Sequence, residues 1–187
     1  VLHKIKEWKN LVRPIILILG AIPILAALFI VVPTLLRPEI TNVAVNSDDV
    51  ISIEYSKQHL KKISFGLTQN IGAETTEVLT ISNDGQASYS LTKNGYSEPD
   101  VKYQLSKEEV TRLTGLVKET GFMQIPQTSF PVKSDLNEYD KYGLQITLDG
   151  KSVNVSWPDQ NSTDEFIPPL ISQVQTSLDG VIAEIIK

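Results

Sequence analysis

Two histidines, His3 and His59, and no cysteine occur in the 187 residues. Without cysteine the chain has no disulfide, no thiolate nucleophile, no Cys-type zinc site and no iron–sulfur cluster. Two histidines cannot build a three-His zinc or copper site from one chain. A Ser-His-Asp triad would have to use His59, because His3 lies across the apolar segment described below. His59 sits in Lys57-Gln58-His59-Leu60-Lys61-Lys62, where the lysines are expected to depress the pKa of a base. No G-x-S-x-G elbow is present. His59 is therefore expected to be an exposed loop or strand-edge residue.

Carboxylates recur in pairs at Asp48-Asp49, Glu108-Glu109 and Asp164-Glu165. Solvated turns and a helix cap explain all three more simply than glycoside chemistry does. Asp159, Asn161, Thr163 and Glu165 alternate in one stretch, faintly like calcium ligands. The sixth position is Asp164, where the tight calcium loop needs Gly, so a plain polar loop is expected. Met123, with one distant histidine, is expected in the core rather than on copper. There is no phosphate loop and no dinucleotide fingerprint. The expectation is a chain with no catalytic, cofactor-binding or metal-binding residue, which is not itself an enzyme. Two sequons, Asn154-Val155-Ser156 and Asn161-Ser162-Thr163, are candidate N-glycosylation sites at Asn154 and Asn161.

The elements behind these residues divide at one apolar run. Pro14 to Leu36 is 23 residues without a charge. As a helix it would span roughly 35 Å, enough for a hydrocarbon core of about 30 Å. It is longer than the apolar region of a signal peptide, and its exit lacks an A-x-A pattern. A retained transmembrane helix is expected, preceded by a cytoplasmic tail (1–13) and followed by a linker (37–49). The tail holds Lys4, Lys6, Lys9 and Arg13 against Glu7. Positive charge stays inside, so the N-terminus is expected in the cytoplasm and the rest outside the cell membrane, as a single-pass protein. Gly20, Pro23 and Ala27 fall near one face of this helix. Small residues there would let it pack against other transmembrane subunits, the rest of its surface meeting membrane lipid.

The chain has 17 basic and 22 acidic residues; without the tail's four and one, 13 and 21 remain, a net charge of −8. No affinity for nucleic acid or anionic lipid is expected from such a domain.

Residues 50–187 read as an extracytoplasmic α+β domain, a mostly antiparallel sheet with two packed helices. Val50–Tyr55 alternates, with Ile51, Ile53 and Tyr55 on one face; Ile63, Phe65 and Leu67 repeat the pattern. Thr76–Ser82 and Gln86–Thr92 flank Asn83-Asp84-Gly85, a hairpin signal, and Asn94-Gly95 is another. Val101, Tyr103 and Leu105 suggest a further strand. Ser106-Lys107-Glu108-Glu109 is a capping box opening a helix through Val110, Leu113, Leu116 and Val117, ended by Gly121. Gln127–Lys141 reads as a polar loop. Tyr142–Leu148 and Lys151–Trp157 flank Asp149-Gly150, which suits a type I′ turn. Pro158–Ile167 reads as a loop. Pro169 then opens a helix with an apolar stripe from Leu170 to Ile185.

The stretches VLTISNDGQASYSLT, LSKEEVTRLTGLVKETGFMQIP and YGLQITLDGKSVNVSWPDQNSTDEFIPPLISQVQ together resemble single-pass membrane-anchored outer domains of ammonia-oxidising archaea, over about Thr76 to Ile186. The DG turn, the L-S-x-E-E helix and the GF-x-x-(I/L)-P exit are also similar, more loosely, to small bacterial domains. The archaeal resemblance implies a candidate assembly, the archaeal ammonia monooxygenase, a membrane copper enzyme with small subunits beside its three core ones. It carries over no functional residue. The expected function is a non-catalytic accessory subunit of a larger membrane complex; the alternative is a freestanding membrane-anchored binding module.

Overall fold

The computed structural model describes residues 45–46, 48–65 and 68–187. Two units are distinguished, Val1–Glu39 and Ile40–Lys187, and every described residue belongs to the second. The expected transmembrane helix, with Gly20, Pro23 and Ala27, lies outside the described residues, as does the tail. Among the described residues no helix is long and apolar enough to cross a membrane.

The domain is α+β. Seven strands, β1 (Ile51–Phe65), β2 (Thr68–Ile81), β3 (Gln86–Lys93), β4 (Tyr96–Ser97), β5 (Val101–Gln104), β6 (Glu138–Leu148) and β7 (Lys151–Pro158), form one sheet. Its order is β4-β3-β2-β1-β6-β7, with β5 also pairing β3, and all strand pairs are antiparallel. Helix α1 (Lys107–Glu119) enters between β5 and β6, and α2 (Pro169–Ile185) ends the domain.

The turns follow from residue type. Asn94 and Gly95 have φ of 51° and 81°, and Asp149 and Gly150 have 51° and 79°. Positive φ at both central residues is the type I′ signature, whose twist matches that of the flanking strands. Asp149 also serves β1: its Oδ1 accepts from the Val50 N–H at 2.9 Å. Ser106 caps α1 as its spacing predicts. Its Oγ accepts from the Glu109 N–H at 3.2 Å, and the Glu109 carboxylate accepts from the Ser106 N–H at 2.6 Å. Gly121, at φ 68°, turns the chain out of the helix.

One sheet face is apolar and covered. Ile51, Ile53 and Tyr55 of β1, Leu79 and Ile81 of β2, Leu144, Ile146 and Leu148 of β6, and Val155 and Trp157 of β7 are buried. They form one core with Val110, Leu113 and Val117 of α1 and Ile171, Val174, Leu178, Val181, Ile182 and Ile185 of α2. Leu116, Leu170 and Met123 pack against its margin. The opposite face carries Ser52, Glu54, Thr80, Gln145 and Asn154, all exposed. One covered and one solvated face is the usual consequence of period-two alternation in an antiparallel sheet.

Two expectations are corrected. First, the segments read as separate strands at Val50–Tyr55 and Ile63–Leu67 are one strand of 15 residues, with Leu67 outside the described residues. Second, the polar Gln127–Lys141 segment is not all loop, since Glu138–Lys141 already belongs to β6 and pairs with Gln58–Lys61 of β1. The further strand expected at Val101, Tyr103 and Leu105 is present as β5, with Val101 and Tyr103 42% and 38% exposed and Leu105 buried just beyond its end.

The length of β1 creates an arm. Its pairing with β6 ends at Lys61–Glu138, and the pairing of β2 with β3 begins at Thr75–Lys93. Residues 63–65 of β1 therefore pair only with 68–70 of β2, and residues 68–73 of β2 pair only with β1. Ile63 and Ile71 on this arm are 41% and 52% exposed.

Candidate functional site

Along the helix-facing side of β1 the residues run Ile51, Ile53, Tyr55, Lys57, His59. The first three are buried, and beyond Tyr55 the row turns polar. Tyr55 marks the change: its hydroxyl donates to Asp179 Oδ1 of α2 at 3.0 Å. Beside it Tyr142 stacks on Trp157 with ring centroids 5.7 Å apart, and Trp157 Nε1 donates to Gln175 Oε1 at 3.3 Å. Burial, with Asp140 and Asp179 nearby, pushes the Tyr142 hydroxyl up to about 12.

Two residues further, His59 is surrounded by carboxylates. Asp140, its register partner on β6, lies with Oδ1 2.8 Å from Nδ1. Glu138, on the same face of β6, lies with Oε1 3.1 Å from Nε2. Glu74 of β2 lies with Oε2 3.7 Å from Nε2. Glu74 is there because of a β-bulge. His59 opposes Thr75 and Leu60 opposes Ala73, so Glu74 is the extra residue. Its carbonyl accepts from the Asn94 N–H at 2.7 Å. Asp140 is fixed from behind: its N–H donates to Asp159 Oδ2 at 3.3 Å, and its carbonyl accepts from the Asp159 N–H at 2.9 Å.

This overturns the expected effect of the neighbouring lysines. The Asp140 hydrogen bond raises the His59 pKa; partial burial opposes it, and the charges of Asp140, Glu138 and Glu74 add to the rise. Lys62 lies on the other face of the strand, and Lys57 and Lys61 share the His59 face but stand two residues along it, whereas cross-strand partners sit directly opposite. The near charges are therefore carboxylates that are distant in sequence. His59 is also not at a strand edge, since β1 is flanked by β2 and β6.

The cluster's chemistry is that of a proton-holding hub. An imidazolium here directs one N–H at Asp140 and the other at Glu138 and Glu74. A His–Asp pair of this kind can orient a base, but Nε2 faces carboxylates rather than a hydroxyl. The acids also stand on both sides of the ring and do not converge on one point. Among the described residues no group of three or more His, Cys, Asp and Glu has the geometry to hold a metal ion.

The other residues singled out in the sequence are dispersed. Asp159 is occupied with its own loop, a short 3-10 turn at Gln160–Ser162: Oδ1 accepts from the Asn161 N–H at 3.1 Å and Oδ2 from the Ser162 hydroxyl at 2.6 Å. Glu165 accepts from Gln127 Nε2. Asp49 pairs with Lys118 of α1 and its carboxylate accepts from the Asn46 N–H, so the end of the expected linker is tied to the domain. Asn154 is exposed on the open sheet face and Asn161 is exposed on the 3-10 turn. Clefts open on the described surface, among them two larger ones. One, of about 450 Å³, borders Thr80, Ser82, Ser88, Lys102 and Gln104. The other, of about 560 Å³, lies among Asn46, Asp49, Asn83, Asp84, Lys107 and Thr111.

Glu74, Glu138 and Asp140 were not singled out from the sequence. The readable signal for the last two was alternation in Glu138-Tyr139-Asp140-Lys141-Tyr142, which continues the period of the strand that follows. No protein-family model matches the chain, and no curated protein matches it.

Proposed function

We propose that this chain is a non-catalytic accessory subunit of a larger membrane protein complex. In this reading the Pro14–Leu36 segment is its single transmembrane helix, the N-terminus is cytoplasmic, and the α+β domain braces an outer surface of the partner. The observation that carries the reading is the β1–β2 arm. An isolated two-stranded ribbon is marginal in water, yet this one continues past its neighbouring strands and exposes Ile63 and Ile71. Contact with another subunit would bury those side chains and the arm's open edges. The small-residue face of Gly20, Pro23 and Ala27 is the proposed contact within the membrane. The resemblance to outer domains of ammonia-oxidising archaea makes their ammonia monooxygenase the candidate complex.

Replacing Ile63 and Ile71 together with Asp tests the arm. The double variant should lose copurifying subunits from native membranes while its thermal unfolding stays within a few degrees of the wild type. Unchanged copurification would remove the arm from the interface. The cleft of about 450 Å³ on the polar sheet face supports a second reading, a freestanding anchored binding module. That reading expects a monomer whose melting temperature rises with a small polar ligand.

A further inference from the structure

The arm is joined to the domain at a place built from charge. Beyond His59, β1 meets β6 only through the Leu60–Tyr139 and Lys61–Glu138 pairs and the Lys62 N–H, which donates to the Asn137 carbonyl at 2.7 Å. On the other side the bulge interrupts the ladder between β1 and β2 at Glu74. The same spot gathers Asp140, Glu138 and Glu74 around one imidazole.

We propose that His59 is a proton-operated latch at the root of the arm: as imidazolium it ties β1 to Asp140 and Glu138 of β6 and to Glu74 of β2, and on losing its proton it loosens that root. The proposal stands whichever partner the arm meets.

The two protonation states differ in sign of interaction. With both ring nitrogens protonated, Nδ1–H donates to Asp140 and Nε2–H points at Glu138, with Glu74 at ion-pair distance. In the neutral ring the Nδ1–H stays on Asp140, and the Nε2 lone pair then faces the oxygens of Glu138 and Glu74. The carboxylates also lose their central cation. Lys61 stands opposite Glu138 in the register, but among the described residues no lysine lies within ion-pair distance of Asp140, Glu138 or Glu74. Lys57 and Lys61 share the His59 face of β1 at two residues' distance, and Lys93, further along the sheet on β3, pairs with Glu98 at 3.2 Å. Asp159 adds a further negative charge behind Asp140.

The linkage has a definite direction. The folded state raises the His59 pKa, so the stabilisation is fully present below the unfolded value of about 6.5 and is lost as pH rises through the folded value. At the acid end it also fades as the carboxylates take up protons. The latch is therefore closed in mildly acidic and loosened in alkaline medium.

The test uses the full 187-residue chain in detergent micelles. The His59 Cε1–H resonance, assigned by its loss in His59→Gln, is followed with pH by NMR. Amide exchange at residues 59–62, 72–75 and 138–141 is measured across the same range and corrected for the intrinsic rate. The expected result is a His59 midpoint above 6.5, with root protection falling about three- to tenfold as pH passes it. His59→Gln should abolish that pH dependence. Should His59→Gln not fold, Glu138→Gln should lower the midpoint and shift the protection profile with it. A midpoint at or below 6.5, or root protection that ignores the His59 titration, would overturn the proposal.

Discussion

The Tyr55 hydroxyl donates to Asp179 Oδ1 at 3.0 Å, joining the central strand to the C-terminal helix across 124 positions of sequence. The ring is fully buried, and both burial and the Asp179 charge push the hydroxyl far above its ordinary pKa, so it remains a donor at every working pH. This bond fixes α2 over the sheet where the core gives way to the polar row of Lys57 and His59.

Tyr55→Phe keeps the ring's packing and removes only the donor. Asp179 is partly solvated and can take water instead. We expect a loss of about 1–2 kcal/mol, read from the denaturant midpoint at constant slope. A loss below about 0.3 kcal/mol would mean that the bond does not hold α2.

Ser106→Ala removes one half of a reciprocal cap. The expected cost is roughly 0.5–2 kcal/mol. Hydrogen bonds from the Ser106 hydroxyl and N–H hold the Glu109 carboxyl below its ordinary pKa, so its contribution is present above the unfolded value and lost as pH falls through the folded one. The difference between wild type and variant should therefore shrink in acid. Paired urea titrations at neutral and acidic pH check both points.

Gly85 and Gly95 both occupy turns, at φ 83° and 81°, but their surroundings differ. A Cβ on Gly85 would lie 2.5 Å from the Leu105 carbonyl oxygen, whereas one on Gly95 meets nothing within 4 Å. Gly95→Ala should cost about 1–2 kcal/mol from the left-handed backbone alone. Gly85→Ala should exceed it by at least about 1 kcal/mol, because backbone must move. Equal melting shifts for the two variants would contradict the close approach of the β2–β3 turn to Leu105.

The sequence was readable wherever one local rule decided the outcome. The positive-φ pairs Asn94-Gly95 and Asp149-Gly150, the Ser106–Glu109 box and the apolar stripe from Ile171 to Ile185 each follow from neighbours a few residues apart. The polar half of β6 was not readable, because Glu138 and Asp140 gain their place from Lys61 and His59 on another strand rather than from apolar alternation. The bulge at Glu74 is likewise invisible locally, since it is a mismatch between two strands. The charge around His59 was misjudged for the same reason: lysines close in sequence counted for more than carboxylates close in space.

Membrane topology has its own check. Protease added to intact cells should remove the α+β domain and leave the Val1–Arg13 tail protected, as the flanking charges require. Accessibility of the tail from outside would reverse the orientation.

The accessory-subunit proposal is tested most directly by isolating the tagged chain from native membranes in mild detergent and measuring the mass of the particle that contains it. We expect a particle well above 20.7 kDa plus its detergent, with other membrane subunits in fixed ratio, and its loss when Gly20 and Ala27 are both replaced by Leu. A lone monomer with no companion would contradict it and favour the anchored binding module.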